Sequence, residues 1–136
     1  MANRWLFKTE PGTYSYDQLE RDGRTVWDGV KNALALKHLS GVAAGDEVLF
    51  YHTGDEKAVV GVARVVRGAY PDPKQKDPRL LVVEIESGTR LPKAVTLAAM
   101  RANRKLAGFD LLRLPRLSVM PVTAAQWAEV VRMARG

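Results

Sequence analysis

The chain has 136 residues, a length that suits one compact domain over residues 1–136 and excludes a multi-domain machine. With 46% hydrophobic and 26% charged residues it is an ordinary globular composition, far from that of chains that stay disordered. The absence of cysteine excludes disulfides, a thiol nucleophile and thiolate metal sites, two histidines leave little for a metal, and a formal charge of +6 favours polyanionic partners.

The amino terminus runs from Met1 into Trp5-Leu6-Phe7 and then Lys8, an apolar stretch too short for a signal peptide or spanning helix. A cytoplasmic protein with no membrane segment is expected. Arg4–Thr9 reads as a buried strand ended by Pro11-Gly12. Ser15 and Gln18 match a capping box, opening a short helix through Asp22 that stops at Gly23. An extended piece, Thr25 to Trp27, follows, and Asn32 to Leu39 carries Leu and Ala at helical spacing with Gly41 as its stop.

From Asp46 the pattern changes to strands. Glu47–His52 and Ala58–Val66 form a hairpin around Thr53-Gly54-Asp55. Tyr70 to Pro78, rich in proline, lysine and aspartate, reads as an exposed connection. Leu81, Val83 and Ile85 then alternate with Glu84 and Glu86, the pattern of a half-buried strand. Thr96 caps a helix carrying Leu97 and Met100, and Arg116–Pro121 reads as a further strand. Thr123 and Gln126 repeat the capping box before a closing helix whose stripe Ala124, Trp127, Val130, Val131 and Ala134 assigns Trp127 to the core. About five or six strands with three or four short helices make an α+β chain, a curled sheet or small barrel with helices packed over it.

Templates for catalysis are mostly missing: there is no Gly-rich phosphate loop, HExxH helix, nucleophile elbow or metal-ligand cluster. The enzymatic alternative rests on His52 with a carboxylate, Asp28 or Asp46, as acid and base. Residues 101–136 hold seven arginines and lysines against Asp110 and Glu129, so nearly all the net charge lies there. Composition alone leaves three readings of that charge open: a solvated surface, a basic face for an acidic protein, and a nucleic-acid footprint.

Polar residues beside aromatics at chain bends are more telling. Lys8-Thr9-Glu10 follows Trp5-Leu6-Phe7, Trp27-Asp28-Gly29-Val30-Lys31-Asn32 spans a strand-to-helix bend, and Tyr51-His52 ends a strand. Each couples a flat apolar face to donors and acceptors. That suits a planar heterocycle, whose face stacks on an aromatic ring while its edge is read by hydrogen bonds. The competing reading is that Trp5, Phe7 and Trp27 simply fill the core.

The ordered runs Trp5-Leu6-Phe7-Lys8-Thr9-Glu10-Pro11, Tyr14-Ser15-Tyr16-Asp17-Gln18-Leu19, Trp27-Asp28-Gly29-Val30-Lys31-Asn32, Gly45-Asp46-Glu47-Val48-Leu49-Phe50-Tyr51-His52, Tyr70-Pro71-Asp72-Pro73 and Arg116-Leu117-Ser118-Val119-Met120-Pro121-Val122 resemble the successive motifs of the EVE-domain family. The resemblance implies a PUA-like fold, a curled, mainly antiparallel barrel with helices around it. It also implies a non-enzymatic reader that holds an extruded, modified base of DNA or RNA, without cofactor, with a nuclease or base-modifying enzyme as the partner class to expect.

Carried over position by position, the resemblance makes Lys8, Thr9, Glu10, Trp27, Asp28, Asn32, Tyr51, His52, Arg116 and Ser118 the nucleotide-binding set. Trp27 or Tyr51 would stack the base, Asn32 and Thr9 would bond its edge, and Lys8 would meet a phosphate or carbonyl oxygen. Glu10 would orient Lys8 or bond an exocyclic amine, and Arg101, Arg104, Lys105 and Arg116 would hold phosphates. Thr9 stands where relatives usually carry serine, and Ala33 and Lys37 where they often carry an aromatic residue and an asparagine. The segment after Pro73 is shorter than usual.

Overall fold

The computed structural model describes residues 2–136. Six strands form one mixed sheet in the order β2-β5-β4-β3-β1-β6. They are β1 (Arg4–Thr9), β2 (Arg24–Trp27), β3 (Glu47–His52), β4 (Ala58–Pro71), β5 (Leu81–Thr96) and β6 (Val119–Pro121). Only β1 and β3 run parallel, with Phe7 opposite Phe50 and Lys8 opposite Tyr51. Every other pairing is antiparallel. The sheet curls but does not close, because β2 and β6 are separate edges. The curl follows from repeated register shifts between β4 and β5, since each bulge bends its strand and increases the twist.

The helices are α1 (Tyr16–Asp22), α2 (Ala33–Leu39), α3 (Leu97–Arg101), α4 (Asp110–Arg113) and α5 (Ala124–Arg135), with a 3₁₀ turn at Arg104–Leu106. Both capping boxes form in full, Ser15 with Gln18 and Thr123 with Gln126, and Gly23 ends α1 at φ +74°. The expected α+β class stands; several boundaries move. Asn32 is the cap of α2 rather than its first turn, and Ser40, not Gly41, closes that helix. β4 runs on through Tyr70 and Pro71, and β5 continues to Thr96, because each edge supplies the other's hydrogen bonds along its length. The last strand is reduced to three residues. Trp127 is half-buried, packing one side on the core while the Arg4 guanidinium lies 5.2 Å from its ring centre.

An aromatic group ties the layers together. Phe7, Trp27, Phe50 and Tyr16 meet at ring separations of 5.2–5.5 Å, mostly edge to face. Tyr16 lies across Gly61, where a Cβ would stand 2.5 Å from the ring, and its hydroxyl donates to the Val62 carbonyl. At the other end of β1, buried Asp46 accepts from the Trp5 indole and from the backbone of Asn3 and Ala43, each at 2.9 Å.

α5 carries one buried carboxylate, Glu129, held by Arg132 and Asn103. The Arg132 guanidinium first, and Asn103 second, bring its carboxyl down to about 2 from an ordinary 4.5. A carboxylate with a depressed folded pKa stabilises the fold above its unfolded pKa and loses that effect as the pH falls. Thermal melts of the wild type should therefore weaken between about pH 4.5 and 2 more than those of Glu129→Gln. Parallel curves would show that this network carries no pH-dependent stability.

Candidate nucleic-acid interface

Side chains alternate across a strand, so Phe7 and Thr9 face one side of β1 and Lys8 the other. The register of β1 on β3 divides the candidate residues in the same way: Phe50 and His52 share the first side, Tyr51 the second. Of the set named from the sequence, Thr9, Trp27 and Asp28 line one hollow and Lys8 and Tyr51 a second, while Glu10, Asn32, His52, Arg116 and Ser118 line neither.

The larger hollow is an open cleft of about 650 Å³ where the ends of β1 and β2 meet. Thr9, Trp27 and Asp28 line it, together with Thr13, Tyr14, Arg24, Thr25, Val26, Lys74 and Glu84. Trp27 is only 8% exposed, since Phe7 and Phe50 back its ring, and the part left open lies at the cleft. Tyr14 stands edge-on to it at 6.4 Å with an interplanar angle of 87°, its hydroxyl donating to Asp22. The cleft therefore has two aromatic walls at right angles.

Its polar groups are partly committed. The Thr9 hydroxyl donates to the Tyr14 carbonyl at 2.9 Å, which leaves its oxygen to accept from a ligand. Glu84 accepts from Tyr70 and from Arg24, and those two partners hold its carboxyl below the usual range. Arg24 is anchored in return. Asp28 is exposed at the rim.

The second hollow, about 250 Å³, contains Lys8 and Tyr51. The Lys8 ammonium donates to the Pro115 carbonyl at 2.9 Å and lies 5.7 Å from the centre of the Tyr51 ring. A cation over that face and the burial of the ring leave Tyr51 a poor platform for a base. Glu10 does not orient Lys8; its carboxylate accepts from the Gly12 amide and the Thr53 hydroxyl.

His52 is buried with both ring nitrogens engaged. Nε2 accepts from the Tyr16 amide at 3.0 Å, which places the ring proton on Nδ1, facing Glu56 at 2.6 Å. Neither Asp28 nor Asp46 meets it. The Tyr16 bond leaves no free nitrogen to move a substrate proton or read a base edge, so His52 positions α1 on β3. Asn32 is exposed, but its Oδ1 accepts from the Ala35 amide at 3.0 Å to cap α2, leaving its NH₂ as the group open to a ligand. The Ser118 carbonyl accepts from the Lys8 amide at 2.9 Å, fixing the last strand segment to β1, while Arg116 is exposed nearby in sequence.

Tyr14, Thr13, Thr25, Arg24, Lys74 and Glu84 complete the cleft and were not among the residues singled out from the sequence. Lys74 belongs to the shortened segment after Pro73, so that segment does contribute to the rim. Only Tyr14 stands in one of the family-like motifs. Arg24, Thr25 and Glu84 reach the cleft through the β2–β5 pairing, and Thr13 and Lys74 through the loops after β1 and β4.

Residues 3–133 match the EVE domain as a family. The chain belongs to the EVE-domain family. This EVE domain is similar to a Rhodopseudomonas palustris protein solved by NMR, at 38% identity and a TM-score of 0.94 over 98% of this chain and 94% of that one. It is also similar to human THYN1 solved in complex with DNA containing 5-methylcytosine, at 25% identity and a TM-score of 0.91 over 99% of both chains. Human thymocyte nuclear protein 1 is 24% identical in sequence over 98% of this chain and 74% of its own length. Among the described residues no group of histidine, aspartate and glutamate is arranged to hold a metal, and no helix is long and apolar enough to cross a membrane.

The His52 assignment has a direct consequence for stability. His52→Ala leaves the buried Tyr16 amide without its acceptor and should lower unfolding free energy by about 1–3 kcal/mol in urea denaturation. An unchanged midpoint would show that the His52–Tyr16 bond is not made in solution.

Proposed function

We propose that this EVE domain is a non-enzymatic module that binds DNA and seats one modified cytosine in the Trp27 cleft. The cleft itself carries the reading: an open recess with aromatic walls and a mixed polar rim, inside the usual size range of ligand pockets, about 300–1,000 Å³. Cytosine offers an exocyclic amine beside a ring nitrogen and a carbonyl oxygen. Asp28 and the Thr9 oxygen supply acceptors for the amine, while Arg24 and Lys74 supply donors for the other two. A base in a recess of this kind has to leave its stack, a cost of a few kcal/mol that a flexible or modified site lowers.

The solved complex of human THYN1 with 5-methylcytosine DNA supports the choice of DNA and of cytosine. The excess of cations supports a polyanion, with Arg101, Arg104, Lys105 and Arg116 exposed and free of ion pairs among the described residues. The engaged nitrogens of His52 favour binding over catalysis.

Oligonucleotides differing by a single cytosine 5-methyl group, in DNA and RNA forms and at two salt concentrations, test the proposal by fluorescence anisotropy. The methylated DNA should bind about tenfold more tightly than the plain one, the scale set by one methyl in an apolar recess. Asp28→Asn, a change at an exposed position, should weaken binding of the methylated and the plain DNA alike, since both carry the amine that Asp28 accepts from, without altering the melting temperature. Equal binding to every oligonucleotide would reduce the interaction to electrostatics, and preference for the RNA form would overturn the choice of DNA.

A further inference from the structure

The hollow on the opposite side of β1 and β3 gathers three cations from separate parts of the chain: Lys8 from β1, Lys57 from the β3–β4 turn and Arg101 from α3. No carboxylate belongs to its lining, which is completed by groups such as Tyr51, Thr53, Leu111 and Pro115. Among the described residues none of the three makes an ion pair, whereas Arg4, Arg24, Arg64, Arg67, Arg90 and Arg132 all do. The carboxylates close by in sequence are occupied or lie outside: Glu10 accepts from Gly12 and Thr53, and Glu56 faces His52. Asp55 and Glu56 border an adjoining depression that shares Lys57 and Arg101.

The arrangement is built rather than incidental. Lys57 has φ +46°, the only positive φ outside glycine among the described residues, a left-handed conformation that ordinary side chains disfavour. Its carbonyl accepts from the Leu97 amide at 2.8 Å, so the turn is bonded to the first residue of the helix that bears Arg101. Lys8 is half-buried and uses one N–H on Pro115, leaving two directions for a ligand. Burial pushes its ammonium below the ordinary lysine range, a shift that an anion alongside would reverse. Like charges brought together without a counter-charge repel, and a bound oxyanion relieves that repulsion.

We propose that this hollow is a phosphate-binding site, separate from the base cleft, that takes one phosphoryl or phosphodiester group. Lys8, Lys57 and Arg101 supply the charge and the donors. Two sources share this chemistry, a nucleic-acid backbone and a free phosphorylated small molecule. The proposal does not depend on the nature of the base in the Trp27 cleft.

Titration of the ¹⁵N-labelled full chain with inorganic phosphate, replacing chloride at constant ionic strength, tests it. Saturable shifts should appear at Lys8, Tyr51, Thr53, Lys57 and Arg101. Arg101→Gln, on an exposed helix position, should weaken the apparent affinity roughly tenfold, and Lys93→Gln, outside the lining of the hollow, should not. Shifts that are absent, spread evenly over exposed cations, or insensitive to Arg101→Gln would overturn the proposal. The source is then read from oligonucleotide binding: a salt slope reduced by about 0.9 in Arg101→Gln identifies a backbone phosphate, and an unchanged slope identifies a free ligand. The methyl preference of the base cleft is measured separately, so either site can fail without the other.

Discussion

The contact of Trp27 with Phe7 and Phe50 is the constraint on which the rest of the molecule depends. β2 is a four-residue edge strand bonded only to β5. Alone it would be a weak element, since short edge strands contribute few ladder bonds. Burying the indole against the parallel β1–β3 pair fixes that edge across the curl of the sheet and so opens a recess between the ends of β1 and β2. The same burial limits the indole to a partial wall. Tyr14, held edge-on by its own bond to Asp22, supplies the second surface, and the pair forms a corner into which a flat ring can be set. Rigidity at such a corner matters because a site that is already formed spends less binding energy on ordering itself.

Opposite sides of β1 carry different chemistry because of the strand's two-residue period. Thr9 faces the aromatic corner with an oxygen that can only accept, while Lys8 points into a hollow of positive charge. A single strand end thus borders an aromatic cleft on one side and a hollow lined by cations on the other. The division also explains why the net charge does not collect at the aromatic cleft. There Arg24 is matched by Glu84, so the field at the cleft is weak and its polar character lies in the pattern of donors and acceptors.

Much of this was legible in the residues themselves. The capping boxes at Ser15 and Thr123, the glycine stop at residue 23 and the strand at Glu47–His52 are local signals, read correctly because their hydrogen bonds close within a few residues. The long β4 and β5 were not legible at full length: Tyr70, Pro71 and residues 87–96 have weak strand character and extend only because each strand completes the other. The same limit applies to the site. Trp27, Asp28 and Thr9 stood out as polar groups beside aromatics, but Glu84, Arg24 and Lys74 arrive through pairing and loop placement between distant segments. His52 shows the converse error, a histidine whose chemistry drew attention and whose two nitrogens are spent on holding α1 and Glu56.

Co-crystallisation with a short DNA containing one 5-methylcytosine would locate the base. That nucleotide should be out of its stack, its ring in the corner between Trp27 and Tyr14 and its amine toward Asp28. A duplex lying intact across the basic surface, with every base stacked and the corner unoccupied, would contradict this placement.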